Sequence, residues 1–400
     1  MIKNQDIIIT GLQAWDVEIG SNCKSIALEF SKNNRVLYVN SPLDRKTYLF
    51  DRKDSKIKKR ISILKGKEND LIEIKNGFWN LYPRTLLESI SQLKPDFLFN
   101  YLNKINNKRF AKQIKKAINR LGFKDYILFV DSDMYRSFYL KELLKPKTLI
   151  YYTRDNLIAV DWWKAHGANI EAKFMHKADI VACNSTFLQN YGKKINKNTF
   201  YIGQGCDDSF FNETYSKEIP LDMVNISRPI VGYLGFLTTI RLDISLLEYI
   251  AEARPDWSIV LAGPEDNNFK KSRLHNISNV FFLGPIGTNQ RMTYINSFDV
   301  AINPQIINEI TIGNYPLKVD EYLAMGKPVV ATKTKAMDVF EDYTYQPTTK
   351  IEYIQFIEKA LSENSPQKEK MRKNFARTHS WENSLKELYK AIELVNRSKL

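Results

Sequence analysis

Residues 313–330 read GNYPLKVDEYLAMGKPVV and predict a helix that leads directly into a buried strand. Pro316 suits the first turn of this helix and Gly326 suits its end, because proline needs no amide partner there and glycine adopts a left-handed backbone. Lys318 and Glu321 stand three residues apart, so they lie on one face near the positive N-terminus. There a lysine can meet a phosphate and a glutamate can accept hydrogen bonds from ribose hydroxyls. The stretch predicts a nucleotide site; the alternative is a surface ion pair worth about 0.5 kcal/mol or less.

Glycines at strand ends upstream of this helix fit the same site. Residues 232–237 read GYLGFL and place Gly235 where a predicted strand gives way to a loop. Glycine lets backbone amides approach a phosphate closely, and Arg241 beyond it can add a charge-assisted hydrogen bond to a diphosphate. Gly263 and Pro285 follow two further strands, where a nucleotide base can lie against the backbone. Each of these turns, taken alone, also fits a tight connection between a strand and a helix.

Strands alternate with helices on both sides of these motifs, which is typical of parallel sheets with helical crossovers. In the second half the predicted strands are 230–234, 258–262, 280–283, 300–303 and 328–332, and the predicted helices are 244–253, 289–297 and 317–325. In the first half the predicted strands are 6–10, 35–40, 126–130, 148–152 and 179–183, with a helix at 21–32. A polar stretch at 203–229 interrupts the pattern. The predicted fold class is α/β, with two Rossmann-like doubly wound domains: 1–205, joined by a terminal helix at 381–400, and 206–380.

The composition excludes several classes of protein. The chain has 400 residues, of which 44% are hydrophobic, and this is enough for two packed cores. No apolar run has the length of a transmembrane helix, and the first residues lead into a strand rather than a signal peptide. Three widely spaced cysteines fit buried thiols better than a disulfide framework. These features predict a cytoplasmic protein.

Charge is divided unevenly along the chain. Residues 1–200 hold 36 Lys and Arg against 20 Asp and Glu, whereas residues 201–400 hold 23 against 25. The densest basic segments are 46–67 and 104–124, and Tyr48, Leu49 and Phe50 lie within the first of them. One basic half with aromatic residues fits peripheral contact with an anionic membrane. A solvated basic surface is the alternative.

The motifs, taken in order, resemble the GT-B glycosyltransferases, in particular the large family four. GYLG at 232–235, LAGP at 261–264 and PLKVDEYLAMGKPVVAT at 316–332 carry the resemblance, which extends to teichuronic-acid-type transferases of cell-surface polysaccharide synthesis. It implies two Rossmann-like domains that face a central cleft. A nucleotide sugar, with UDP as the working hypothesis, is expected in the second domain, and a glycan or polyprenyl-linked acceptor in the first.

The resemblance also implies a set of donor contacts and a retaining reaction without a metal or another cofactor. The implied donor-binding residues are Gly235, Arg241, Gly263, Pro285, Leu317, Lys318 and Glu321. One position departs from the family pattern. Gly313 stands eight residues before Glu321, where many members have a glutamate that contacts the donor sugar.

Candidates for acceptor chemistry follow strands of the first half. Asp16 comes after the first predicted strand, and Arg154 and Asp155 come after the strand at 148–152. An aspartate there can orient an acceptor hydroxyl or remove its proton. Arg154 can steady a phosphate, or it can simply form an ion pair with Asp155. We expect these three residues to be the catalytic candidates.

Two other interpretations remain open at this stage. Asp131 and Asp133 form an Asp-x-Asp pattern after a strand, which in the GT-A architecture holds a divalent metal on the donor diphosphate. A non-enzymatic lipid- or nucleic-acid-binding protein would explain the basic half but not the helix that carries Lys318 and Glu321. The sequence shows no recognised nucleic-acid fold with interleaved aromatic residues, so no nucleic-acid partner is expected.

Overall fold

The computed structural model describes residues 2–17, 21–211 and 215–397. The chain forms two units: unit 1 is Met1–Gly203 with Ser384–Leu400, and unit 2 is Gln204–Asn383. The sequence had placed the two boundaries after residues 205 and 380. Both units are mixed α/β structures built on parallel sheets, as expected.

The described part of unit 1 contains ten strands. They are β1 (Asp6–Gly11), β2 (Arg35–Val39), β3 (Leu43–Asp44), β4 (Leu71–Lys75), β5 (Phe78–Leu81), β6 (Leu86–Leu87), β7 (Ile127–Asp131), β8 (Thr148–Thr153), β9 (Ile180–Cys183) and β10 (Thr199–Tyr201). Eight of them form one sheet in the order β10-β9-β8-β7-β1-β2-β5-β4, and β3 pairs with β6. β4 runs antiparallel to β5, whereas the other neighbours in the large sheet run parallel.

The helices of unit 1 connect these strands. They are α1 (Asn22–Phe30), α2 (Arg45–Phe50), α3 (Ser55–Leu64), α4 (Asp96–Leu121), α5 (Leu140–Leu144), α6 (Asp161–Lys164), α7 (Gly167–Lys177) and α8 (Thr186–Lys193). The last helix of the chain, Trp381–Arg397, contributes its residues from Ser384 onward to this unit. The central strands β1, β7 and β8 are buried along their whole length, as expected for a parallel sheet covered on both faces.

Unit 2 is a five-stranded parallel sheet in the order β13-β12-β11-β14-β15. Its strands are β11 (Ile230–Leu234), β12 (Ser258–Ala262), β13 (Val280–Gly284), β14 (Val300–Asn303) and β15 (Val329–Ala331). Its helices are α9 (Ile244–Ala253), α10 (Arg291–Asn296), α11 (Leu317–Ala324), α12 (Lys350–Ser362) and α13 (Pro366–Thr378). The last helix of the chain, α14 (Trp381–Arg397), begins in unit 2 and continues in unit 1. Separate apolar clusters pack on the two faces of the sheet.

The order of the strands fixes where ligands can approach. In unit 1 the chain runs from β1 outward to β2 and β5, and then returns to β7 on the other side of β1. In unit 2 it runs from β11 outward to β12 and β13, and then returns to β14. Such reversals open a crevice at the carboxyl ends of the strands, where doubly wound folds bind ligands. Among the described residues, no helix is long and apolar enough to cross a lipid bilayer.

Candidate functional site

Two glycine turns meet at the carboxyl edge of the sheet in unit 2. The amide of Gly235, which follows β11, donates a 2.8 Å hydrogen bond to the carbonyl of Ala262 at the end of β12. A Cβ atom on Gly263 would lie 1.7 Å from the carbonyl oxygen of Gly235, and the φ angle of Gly263 is +148°. Glycine is therefore required at Gly263, because any side chain would overlap the neighbouring turn.

Helix α11 begins beside this pair of turns. A Cβ atom on Gly235 would lie 3.2 Å from Cε of Lys318, in the first turn of the helix. The hydroxyl of Tyr322 accepts a 2.9 Å hydrogen bond from the amide of Leu234, which ties the helix to the end of β11. The sequence predicted that Gly235, Gly263 and Lys318 share a site, and the structure brings these three residues together.

Glu321 forms the centre of a charged cluster on α11. Its carboxylate accepts a 3.0 Å hydrogen bond from Nζ of Lys318 and a second bond from the guanidinium of Arg291. Burial raises the pKa of Glu321, but the charges and hydrogen bonds of Lys318 and Arg291 outweigh it, so the pKa lies below its ordinary value. Burial lowers the pKa of Lys318, and the charge of Glu321 opposes that shift. The ionised cluster holds two cations against one carboxylate and carries a net positive charge.

Arg291 is the functional candidate that the sequence did not reveal. It is the first residue of α10, and its side chain is 20% exposed, against 3% for Glu321. The guanidinium of Arg291 and the carboxylate of Glu321 belong to residues 30 positions apart in the sequence, so local spacing does not predict that they pair. The signal that was available is weak: a basic residue opens the first helix after a strand end.

The other predicted donor residues, which lie in different parts of unit 2, are Arg241, Leu317 and Pro285. Arg241 is exposed, and its charge acts on the buried Tyr233 beneath the glycine turn. Within the described residues its side chain makes no hydrogen bond or ion pair, so it is available to a ligand. Leu317 is half-buried next to Lys318, and Pro285 follows β13, two strands away from β11.

The carboxyl edge of unit 1 carries two aspartate–arginine pairs at the end of β7. Asp131 is fully buried and accepts a 2.9 Å hydrogen bond from Nε of Arg154. Asp133 accepts hydrogen bonds of 3.0 and 3.1 Å from Nε of Arg136. Burial raises the pKa of Asp133, and the charge of Arg136 opposes the shift. The Asp-x-Asp pattern therefore serves to hold two arginines in place.

These pairs bear on the GT-A interpretation of the sequence. Both carboxylates of Asp131 and Asp133 engage arginines, and the described residues contain no group of three or more metal-ligating side chains. The two parallel sheets are also the architecture of the GT-B class. The GT-A alternative is therefore wrong on the ground of the fold.

The three predicted catalytic residues of unit 1 all stand in ion pairs. Asp155 lies 3.2 Å from a terminal nitrogen of Arg154, which is already bonded to Asp131. Asp16 accepts a 2.7 Å hydrogen bond from Arg60 of α3, and its other carboxylate oxygen is buried without a partner. Asp131 thus fixes the position of the Arg154 side chain. The catalytic roles of Asp16 and Asp155 stay predictions.

The cysteines agree with the expectation of buried thiols. Cys23, Cys183 and Cys206 are all buried and free. Burial raises the pKa of each thiol, and nearby carboxylates raise it further. They are therefore protonated packing residues rather than nucleophiles.

The comparisons with known proteins show first the fold class and then a match to a family. The solved structures most similar in fold include sucrose-phosphate synthase from Thermosynechococcus elongatus, with a TM-score of 0.67, 15% identity and coverage of 98% of this chain and 100% of that chain. They also include Anabaena HepE in complex with UDP, with a TM-score of 0.62, 14% identity and coverage of 99% and 100%. Together with the two parallel sheets, these likenesses establish the GT-B fold.

The family match falls within the second unit. Residues 228–361 match the family described as glycosyl transferases group 1. A Bacillus subtilis strain 168 protein, TuaH, described as a teichuronic acid biosynthesis glycosyltransferase, is 28% identical over 224 residues. That match covers 53% of this chain and 56% of TuaH, so the chain spans about half the length of this relative. These matches confirm the resemblance to glycosyltransferases that the sequence predicted.

Proposed function

We propose that the protein transfers a sugar from a nucleotide-sugar donor, UDP-linked as the first choice, to a glycan or polyprenyl-linked acceptor in the synthesis of a surface polysaccharide. Unit 2 holds the donor and unit 1 receives the acceptor. The charged cluster of Lys318, Glu321 and Arg291 beside the glycine turns is the observation that carries this proposal. It lies within residues 228–361, which match the group 1 family.

The chemistry of the cluster suits a nucleoside diphosphate. Lys318 and Arg241 present positive charge, and the tight turns at Gly235 and Gly263 bring the backbone close to Lys318 at the start of α11. A diphosphate bound there meets cations and a helix N-terminus, which stabilise the charge that develops as it leaves. Glu321 accepts hydrogen bonds from the ribose hydroxyls. No metal or cofactor is needed in this scheme, because the protein's own cations perform that task.

Relatives support the finer assignment of donor and acceptor. Solved structures of similar fold include HepE in complex with UDP and an E. coli protein bound with UDP-2-fluoro glucose. TuaH is described as acting in teichuronic acid biosynthesis. The resemblance to family four supports transfer with retention of configuration. In unit 1, Asp155 and Asp16 are the candidates to orient or deprotonate the acceptor hydroxyl, and Arg154 steadies them or an acceptor phosphate.

The proposal also includes a location: the protein is cytoplasmic and contacts the inner surface of the membrane. Leu49 and Phe50 at the end of α2 are 55% and 77% exposed. Arg52 and Lys53, two and three residues after Phe50, are exposed, and α3 continues the basic segment. Apolar side chains flanked by lysines are favourable at the surface of an anionic bilayer, where the rings enter the headgroup region and the charges meet phosphate.

The test compares two ligands on one pair of variants. In Glu321→Ala, UDP should bind at least about tenfold more weakly because the ribose loses a charged acceptor of hydrogen bonds. Inorganic pyrophosphate, which has no ribose, should bind as tightly as before or more tightly. Calorimetry measures both affinities, and circular dichroism checks that the variant is folded. Glu358→Ala, which breaks a surface ion pair with Arg254, is the matched control.

The outcomes separate the possible roles of the cluster. Unchanged UDP affinity in Glu321→Ala contradicts the nucleotide assignment. An equal loss for UDP and pyrophosphate means that Glu321 acts by positioning Lys318 rather than by binding ribose. A thermal-shift screen with UDP-, GDP- and ADP-sugars identifies the base. Loss of transfer on adding EDTA would contradict the metal-free scheme.

A further inference from the structure

A pocket of about 380 Å³ opens at the carboxyl side of the sheet in unit 1. Its walls come from α2, from the segment after β6, from residues after β7 and from α6, which follows β8. The residues after β7 and the segment with α6 follow the carboxyl ends of strands of the large sheet, where doubly wound folds bind ligands. α2 and the segment after β6 follow the small β3–β6 sheet, whose strands come after the carboxyl ends of β2 and β5. The volume lies within the range of about 300–1,000 Å³ that is typical of small-molecule sites.

An aromatic surface forms one side of this pocket. Trp162 is 47% exposed, whereas Trp163 behind it is buried. The two indole rings pack edge to face with their centroids 5.0 Å apart, and Tyr135 packs on Trp163 at 4.5 Å. A large, rigid ring is thus presented to the pocket at a position fixed by buried aromatic neighbours.

The polar side of the pocket offers both donors and acceptors. Arg136 uses Nε to bind Asp133, and within the described residues its two terminal nitrogens have no hydrogen-bond partner. At the rim the carboxylate of Asp51 likewise has no partner there. Two other wall carboxylates are already engaged: Glu88 binds Arg45 and Arg109, and Asp44 accepts hydrogen bonds from Thr47 and Ser89.

The charges of the pocket walls and of their direct ion-pair partners balance. The four cations are Arg136, Lys46, Arg45 and Arg109, and the four carboxylates are Asp133, Asp51, Asp44 and Glu88. A phosphate or another strongly anionic group would find no excess of cations here, in contrast to the cluster of unit 2. A long hydrocarbon chain would desolvate the free ends of Arg136 and Asp51 without replacing their hydrogen bonds. A hydroxyl-rich ligand with one apolar face fits both sides of the pocket.

We infer that this pocket binds an uncharged pyranose ring of the acceptor. The C–H face of the sugar packs on Trp162, the terminal nitrogens of Arg136 donate hydrogen bonds to ring substituents, and Asp51 accepts one from a hydroxyl. This inference rests on the proposed function, because it assigns the carbohydrate part of the acceptor to unit 1. It also makes Trp162 and Arg136 specificity residues that the sequence did not single out.

The experiment titrates the full chain with three probes. Methyl glucopyranoside represents a neutral sugar, methyl glucuronoside an acidic one and decanoate an apolar chain. Ligand-observed NMR measures binding to the native protein, to Trp162→Ala and to Trp162→Phe. The neutral sugar should bind, Trp162→Ala should weaken it about tenfold, and Trp162→Phe should largely restore it. Tyr101→Ala removes an aromatic ring that is 65% exposed on α4, outside the pocket, and is the matched control.

A second variant tests the polar side of the pocket. Arg136→Lys retains the charge beside Asp133 but loses the planar fork, and it should weaken the neutral sugar severalfold. Tighter binding of the glucuronoside or of decanoate than of the neutral sugar would overturn the inference. So would neutral-sugar affinity that is the same in native protein and Trp162→Ala, or no binding of this probe at all.

The same samples separate this inference from the proposed function. UDP affinity should be equal in native protein and Trp162→Ala, because the pocket lies within unit 1 and the donor cluster within unit 2. If sugars bind through Trp162 while UDP and pyrophosphate fail to bind, the pocket stands and the transferase proposal falls. If UDP binds and the sugar does not, the transferase proposal stands and the pocket falls.

Discussion

The charged side chains at the carboxyl edges of the two sheets are paired in different ways. In unit 1 the buried Asp131 and Asp133 each hold one arginine, and the half-buried Asp155 also pairs with Arg154, so no positive charge is left over. In unit 2, Glu321 is shared by Lys318 and Arg291, so one positive charge is left over. Arg241 nearby adds another. The edge of unit 1, without a spare cation, suits an uncharged ligand, and the cationic edge of unit 2 suits a diphosphate.

This difference runs opposite to the charge of the two halves of the sequence. Residues 1–200 carry the whole excess of Lys and Arg, and residues 201–400 are slightly acidic. The lysines of unit 1 lie largely on outer surfaces such as the exposed face of α4, where Lys104, Lys108 and Lys112 project into solvent. The net charge of a domain therefore describes its long-range field, whereas the pairing of a few buried groups decides what its site can bind.

The largest expected effect comes from removing the cation that neutralises a fully buried carboxylate. Arg154→Met leaves Asp131 buried without its cation and should lower the free energy of unfolding by about 3–5 kcal/mol. Lys318→Met leaves Glu321 paired with Arg291 and should cost about 1 kcal/mol or less. Urea denaturation of both variants measures the difference. Arg273→Met, at a surface ion pair, is the control and should change little. Equal losses in the two main variants would contradict the comparison.

Glu171 is a third kind of buried carboxyl in unit 1, bonded to a hydroxyl rather than to a cation. Tyr151 donates a 2.9 Å hydrogen bond to it, and burial raises the pKa of Glu171 to about 7. The folded state therefore holds this proton more tightly than the unfolded state, whose glutamate pKa is about 4.3. The stabilisation is complete below the unfolded pKa and is lost as the pH rises toward 7, by up to about 3 kcal/mol.

Glu171→Gln tests this carboxyl directly. The variant cannot ionise, so its free energy of unfolding should fall less between pH 4.5 and pH 7 than that of the native protein. At neutral pH it should be the more stable of the two. Thermal or urea unfolding as a function of pH gives the two curves. Curves that stay parallel would show that Glu171 is ionised in the folded protein with an ordinary pKa.

The smallest expected effect is a difference in salt dependence. UDP bound at the cationic edge of unit 2 should lose a few-fold in affinity when ionic strength rises from about 0.05 M to about 0.5 M, because salt screens the attraction. Methyl glucopyranoside in the balanced pocket of unit 1 should change by less than about twofold. Calorimetry and ligand-observed NMR measure the two. A neutral sugar that weakens as steeply as UDP would show that the pocket is cationic after all.

The framework of unit 2 was largely predictable from the sequence. The bounds of β11, β12, β14 and α9 agree with the predicted ranges, because their apolar runs are fully buried and a capping aspartate, Asp243, opens the helix. The predicted helix at 289–297 proved shorter: a 3-10 turn, Thr288–Gln290, precedes α10. The glycine turns were also readable, since each ends a strand.

Unit 1 was harder to read where polar residues are buried. The prediction gave no bounds for the hairpin of β4 and β5 or for α4. Asn103, Asn106 and Asn107 face inward on α4, so the apolar periodicity of this long helix is interrupted. The side chain of Asn106 accepts a hydrogen bond from the amide of Glu88 and donates one to its carbonyl, and Asn107 donates to the carbonyl of Tyr135. Such residues look like surface positions until their partners are known.

The sequence by itself determined two parallel α/β units and the pairing of Lys318 with Glu321, because strand burial, helix caps and i, i+3 spacing are local properties. Only the tertiary structure decided that Arg291 joins Glu321, that Arg136 and Arg154 are held by the aspartates after β7, and that Trp162 faces a pocket. These contacts join residues far apart in the chain. They exist because parallel strands bring distant loops to one edge, and sequence spacing carries no record of which loops meet.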